Sequence, residues 1–278
     1  MGLRIATNVT ALNAYKNLYS LGNKQATSMA RMASGFRINS AADDAAGLAI
    51  SENLKAQIRG LTQANRNAND GISLVQVAEG GLGEVTNMLV RLRELGVQAA
   101  SDTIGDRERK LLDVENQQLK EEIERVSQVT QFNGTTLLNG LGGVFDIQVG
   151  IQNDDFNDRI SFDSQLMDST MQGLGLVELN VADKISAQGS LQFVDDAING
   201  VNSRRASLGA FQNRLQSTSQ NISNSVENFA AANSRIRDTD LAAESTELAK
   251  NSILLQAATS VLGQANTQQQ LALKLLQS

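Results

Sequence analysis

Apolar residues recur along this chain in long blocks at helical spacing. Leu54, Leu61, Ala68, Val75, Leu82 and Leu89 fall every seven residues, and Ile58, Ile72, Val85 and Leu92 widen the stripe. Val194, Val201, Leu208, Leu215, Ile222, Phe229 and Ile236 keep the same period, with Ile198 and Val226 beside them. A stripe of this kind gives a helix one apolar face that needs a second helix against it. The pattern predicts helices from about Asp43 to Ala99 and through the 194–236 region, packed antiparallel. Unbroken, the first is roughly 80 Å long. Gly80, Gly81 and Gly83 interrupt its propensity and point to a bend or a close helix approach.

Between these blocks the pattern changes. A helix is predicted from Asp106 to Gln131 on the narrow line Leu112, Leu119 and Val126. Its dense mixed charges read either as a solvated face or as an ionic contact with a neighbouring subunit. Asn133-Gly134 and Asn139-Gly140 mark turns. Val144–Val149 and Arg159–Phe162 alternate as two short strands, giving a β-hairpin with the polar tip Asn153–Asp158. That acidic tip lacks the spacing and distal glutamate of an EF-hand calcium loop, so a solvated turn is expected. Residues 163–188 read as irregular.

The two ends mirror each other. Leu12, Tyr15, Tyr19, Gly22, Ala26, Met29, Ala33 and Phe36 step by three and four residues along the first helix, residues 7–33. Leu241, Leu248, Leu255 and Leu262 recur every seven residues along the last, starting two residues out of phase with the preceding line. Gly35 and residues 36–39 connect the first helix to Ser40-Ala41-Ala42-Asp43, which reads as a capping box with Asp44 in the first turn. Both ends carry little charge and many small or amide side chains. Neither holds enough bulky apolar residues for a core of its own. Each is expected to bury its stripe against the other end or against another molecule, and to be disordered alone. The chain thus reads as a palindrome: sticky helix, linker, long helix, hairpin, long helix, linker, sticky helix.

Composition narrows the function. The 278 residues include no proline, cysteine, histidine or tryptophan. Without proline, long helices meet no obligatory break. Without cysteine or histidine, thiol catalysis, disulfides and the commonest metal ligand and general base are gone. No catalytic, cofactor-binding or metal-ligating constellation stands out, and no enzyme is expected. A formal charge of −6 and 4% aromatic residues argue against nucleic-acid binding. No apolar run approaches the roughly 20 residues of a membrane helix, and the first residues do not read as a cleaved secretory signal. Membrane insertion is not expected. Export is expected to use a different route.

Three segments carry a resemblance. Ser34-Gly35-Phe36-Arg37-Ile38-Asn39-Ser40-Ala41-Ala42-Asp43-Asp44-Ala45-Ala46-Gly47-Leu48-Ala49-Ile50 resembles the N-terminal motif of bacterial flagellins. So does Gln63-Ala64-Asn65-Arg66-Asn67-Ala68-Asn69-Asp70-Gly71-Ile72-Ser73. Ser234-Arg235-Ile236-Arg237-Asp238-Thr239-Asp240, with Leu241 to Leu276 after it, is similar to the flagellin C-terminus. The resemblance implies a mainly α fold: a long antiparallel coiled-coil-like helical rod with a small β-hairpin, and terminal helices paired as an inner D0 layer. It implies residues 1–39 as the N-terminal D0 helix and linker, and residues 40–236 as the D1 rod with a hairpin near 144–162. Residues 237–278 then form the linker and C-terminal D0 helix. The short middle leaves no room for the variable outer domains of larger flagellins.

The resemblance also implies function and partners. The chain is expected to polymerise with itself, and with related flagellins, into an extracellular filament for swimming, after unfolded export by the flagellar type III apparatus. The expected assembly interface is Leu12, Tyr15, Tyr19, Met29, Leu241, Leu248, Leu255 and Leu262. An export chaperone is expected on Leu248, Leu255, Leu262 and Leu276, with the filament cap and hook-associated proteins as further partners. A host Toll-like receptor contact is expected at Leu89, Arg91 and Glu94, with Val90 where glutamine is common. The rival readings are a hook–filament junction protein, which usually carries prolines near the acidic motif, and a signalling coiled coil, which would lack the hairpin.

Overall fold

The structure, a computed structural model, describes the backbone of residues 7–277 and the side chains of residues 7–268. Five helices dominate the described residues: α1 (Val9–Ser34), α2 (Ala45–Ala99), α3 (Asp106–Val129), α4 (Lys184–Arg237) and α5 (Leu241–Gln277). Four strands, β1 (Gln131–Phe132), β2 (Thr135–Thr136), β3 (Val144–Gln148) and β4 (Arg159–Asp163), form two antiparallel pairs. The chain divides into two compact units. The first takes residues up to Ala56 and from Asn228 onward; the second is Gln57–Glu227. The division falls inside α2 and α4, because nothing in either sequence interrupts helix propagation there.

In the second unit the heptad lines are the core. Ala68, Val75, Leu82 and Leu89 of α2 and Val201, Leu208 and Leu215 of α4 are all 0% exposed. The helices run antiparallel. Asn65 Nδ2 donates to Ser223 Oγ (3.1 Å), and Arg93 Nε donates to Asp195 Oδ1 (2.6 Å) further along. Helix α3 folds back on α2 through a turn held by Arg109, whose guanidinium donates to the carbonyls of Ala99 and Ser101, each at 2.8 Å. The glycine cluster leaves α2 unbroken. At Gly81 a β-carbon would lie 2.7 Å from Leu138 Cδ1 and 2.8 Å from Thr130 Oγ1, so the glycine marks a close approach by the chain after α3.

Residues 164–183 hold only short turns, including a single 3-10 turn at Gln165–Met167, yet they are packed. Leu176 and Val181 are 0% exposed, and Leu174 and Leu179 are buried. Lys120 of α3 clamps this segment by donating to the carbonyls of Val177 and Leu179, each at 2.9 Å, and burial pushes its pKa down. Helix α4 begins at Lys184, earlier than the irregular stretch to residue 188 had implied. The turn at Asn133-Gly134 joins β1 to β2, a small hairpin the pattern did not reveal.

The β3–β4 hairpin pairs Val144 with Asp163 and Gln148 with Arg159. Phe145, Ile147, Ile160 and Phe162 share its inner face, as the period of two requires. Ile147 reaches Gly71 of α2, and Phe162 packs against Phe211 of α4 with ring centroids 5.5 Å apart and the rings tilted by 57°. At the tip, Asp154 Oδ1 accepts from the backbone N–H groups of Phe156 and Asn157, and Asp155 pairs with Arg159. These carboxylates serve the turn itself.

Candidate assembly interface

In the first unit α1 and α5 pack antiparallel against each other. Asn8 caps α1 by accepting from Ala11 N–H, and its Nδ2 donates to Ala265 O at 3.1 Å. Further along, Gln25 Nε2 donates to Ser252 Oγ at 3.0 Å, and Arg31 lies 4.0 Å from Glu244. The buried positions of this pair are small or polar: Ala14, Ser28, Asn251 and Ala265. Small side chains let the backbones approach closely, but they remove little apolar surface from water. Glycine at 35 ends α1 in the left-handed conformation (φ 75°), its N–H donating to Arg31 O at 2.8 Å.

The expected interface residues separate into two faces. Leu12 (60% exposed), Tyr15 (61%), Tyr19 (65%) and Met29 (57%) lie on the outside of α1, with Val9 beside them. Leu241, at the start of α5, is also exposed. Leu248, Leu255 and Leu262 are half-buried. They share the α5 face of Glu244, Asn251, Ser252 and Ala265, which meets α1. Their own chain thus already covers part of this line, on the face toward the other end. Among the described side chains of α5, Ile253, Leu254 and Val261 also face outward, and the seven-residue line missed them. The apolar run at 253–255 marks the first two in the sequence, and Val261 has only its neighbour Leu262. Leu276 lies outside the described side chains. Val9–Ser34 and Leu241–Gln277 are helical, each packed on the other.

The linkers on either side are stitched together. Arg37 N–H donates to Arg237 O (2.7 Å) and Thr239 N–H to Gly35 O (3.0 Å), giving an antiparallel bridge between Phe36 and Asp238. The Arg237 guanidinium lies over the Phe36 ring, 4.8 Å from its centroid, and pairs with Glu52. That hydrogen bond holds the Glu52 carboxyl below its ordinary pKa. Ile38 is buried beneath this joint at 1% exposure.

The expected capping box forms only in part. Asp43 Oδ2 accepts from Ser40 N–H (2.9 Å), but Ser40 Oγ donates back to Asp43 instead of accepting from the helix. These residues make a separate turn. Asp44 caps α2 by accepting from Gly47 N–H at 2.9 Å. Asp240 caps α5 in the same way through Ala242 N–H, also at 2.9 Å.

The expected receptor residues also diverge. Arg91 pairs with Glu94 (2.9 Å) and Glu115 (2.8 Å), and all three are exposed or nearly so. Leu89 is corrected to a core residue: at 0% exposure it packs inside the second unit. Its place on the leucine line decides this, because the same spacing that makes it part of the heptad turns it inward.

A helix pair held by small residues, with large apolar side chains on its uncovered sides, defines a subunit of a self-assembling helical structure. Comparison with known proteins identifies which one. Residues 5–142 match the bacterial flagellin N-terminal helical region, and residues 191–276 match the bacterial flagellin C-terminal helical region. The flagellin of Halalkalibacterium halodurans is 44% identical over 269 residues, covering 97% of this chain and 98% of the relative. The flagellin of Bacillus subtilis is 41% identical over 308 residues, covering 99% and 100%. The crystal structure of Bacillus cereus flagellin aligns with a TM-score of 0.51 and 31% identity over 60% of this chain and 94% of that one. The chain belongs to the bacterial flagellin family. It is a structural subunit that polymerises with itself into the extracellular flagellar filament. No helix among the described residues is long and apolar enough to cross a membrane.

Proposed function

We propose that residues 1–39 and 237–278 form the inner D0 layer of the filament and residues 40–236 the surrounding D1 layer. The observation that carries this reading is the exposure of Leu12, Tyr15, Tyr19 and Met29 on α1 and of Ile253, Leu254 and Val261 on α5. Apolar side chains so exposed on a thin helix pair gain most when neighbouring copies enclose them. Head-to-tail repetition that does not close into a ring then grows a tube. The role is mechanical and the chain is not an enzyme, in keeping with a sequence that lacks histidine and cysteine.

Export through the flagellar type III apparatus requires the chain to unfold, and the absence of cysteine removes crosslinks that would oppose threading. The export chaperone takes the α5 leucine line, Leu248, Leu255, Leu262 and Leu276. Leu248, Leu255 and Leu262 lie on the face that meets α1, so the chaperone and the folded pair exclude each other. The filament cap and hook-associated proteins act on the same ends, and related flagellins share the lattice. The Arg91–Glu94 surface is the site for a host Toll-like receptor, and a receptor reporter assay on purified monomer tests it. Silence over a full dose range removes that assignment.

The principal test is polymerisation of purified chain on filament seeds, viewed by electron microscopy. Leu255→Asp or Leu262→Asp places an unpaired charge in the α1–α5 contact and abolishes growth. Normal filaments from either variant overturn the layer assignment.

A further inference from the structure

The second unit carries an exposed aromatic knob at one end and an open groove at the other. Phe156, at the tip of the β3–β4 hairpin, is 85% exposed. Its turn is rigidly specified. Asp154 Oδ1 accepts from Phe156 N–H (2.9 Å), Asp154 O accepts from Asp158 N–H (3.0 Å), and Asp158 Oδ2 accepts from Asp154 N–H (3.1 Å). An aromatic ring presented from an ordered turn loses little entropy on docking.

The groove, about 500 Å³, lies between the 175–180 segment and the first turns of α4. Ser186, Gly189, Ser190 and Phe193 are spaced to share one helical face and line it. Leu179 (5% exposed) and Ser190 (3%) are its most buried lining residues, while Val177 (59%) and Phe193 (57%) stand exposed. Nothing lies within 4 Å of the position a Gly189 side chain would take. The groove is thus open, apolar-rimmed and wide enough for one ring.

Knob and groove cannot meet within one chain. Ile151, beside the hairpin tip, touches Gly60 of α2, whereas Leu191, beside the groove, touches Gly96. That separation along α2 is roughly 50 Å. We propose that Phe156 of one copy seats in the Val177–Phe193 groove of the next, as a head-to-tail contact between second units. The occupant is another copy because the chain polymerises with itself, and this inference rests on that property. Each copy filling a neighbour's groove leaves its own open to the following copy, so the contact propagates without closing. Aromatic anchors in such pockets dominate interface energetics. Glu178 lines the groove, and Asp154 and Asp158 remain beside the knob once Asp155 is paired with Arg159, so both surfaces are negative and added salt strengthens the contact.

The absence of native cysteine makes the test clean. F156C and G189C variants are mixed, assembled on wild-type seeds under reducing conditions, then oxidised. The mixture yields covalent dimers, and the double variant F156C/G189C yields a ladder of multimers. Filaments that form normally, with both thiols reactive toward maleimide and no crosslink, overturn the contact while leaving polymerisation itself intact. As a second measurement, Phe156→Ala raises the critical concentration roughly tenfold, with unchanged circular dichroism. Glu178→Gln lowers it at low salt. A critical concentration for Phe156→Ala equal to that of the parent also refutes the docking.

Discussion

Replacing Leu12, Tyr15 and Tyr19 together by alanine separates assembly from folding. The three side chains are 60%, 61% and 65% exposed in the single chain. Fully burying a large apolar side chain stabilises by about 1.5–3 kcal/mol. With roughly three-fifths of that burial left for neighbouring copies to complete, each truncation costs filament contacts ~1–2 kcal/mol. Together they cost ~3–5 kcal/mol, which raises the critical concentration about 100- to 4,000-fold, at about 1.4 kcal/mol per factor of ten. Folding of the monomer is little affected, because exposed substitutions away from buried contacts change stability by about ±0.5 kcal/mol. The assay is the protein concentration left in the supernatant after seeded growth and pelleting, with a thermal melt of the monomer beside it. A critical concentration within threefold of the parent means that the outer face of α1 is not an assembly surface. A collapsed melt means that these side chains support the fold instead.

Other perturbations address the frame. Leu208→Ala, at a fully buried position of α4, costs about 2–5 kcal/mol and lowers the melting temperature of the second unit. A melt within a degree of the parent would contradict the placing of the core. Asp44→Ala removes the α2 cap and costs about 1 kcal/mol, whereas Ser40→Ala costs clearly less, because Ser40 does not cap the helix. Denaturant midpoints of the two variants distinguish them. The Glu52 carboxyl is depressed below its ordinary value of 4.5, first by the Arg237 hydrogen bond. The stabilisation it gives is therefore complete above the unfolded-state value and is lost as pH falls below 4.5 through the lower folded value. Arg237→Ala should shift the NMR titration of Glu52 upward and flatten that acid dependence; an unmoved midpoint would break the link.

The second unit shows how far hydrophobic spacing reaches. The stripes Leu54–Leu89 and Val194–Ile236 announced two long helices, and Ala68, Leu82, Leu208 and Leu215 are buried where the period places them. The strand alternation at 144–162 was equally legible, because Phe145, Ile147, Ile160 and Phe162 had to share one face. The same logic should have removed Leu89 from any surface role. Residues 163–183 were illegible for a different reason. Their burial depends on Lys120 and Asp113 of α3 reaching their backbone, a long-range arrangement with no local period.

At the ends the division is sharper. Spacing and low charge alone determined that α1 and α5 are helices, that Gly35 ends the first, and that neither end could be self-sufficient. Only the tertiary structure decided which face of each helix is used within the chain. The buried positions of α1 are Ala14 and Ser28, so α5 packs on that stripe and leaves the tyrosines outside. A helical wheel ranks faces by hydrophobicity, whereas packing selects the face whose shape lets two backbones come together. In this chain those two faces differ, and the difference leaves Leu12, Tyr15 and Tyr19 free to meet the next copy.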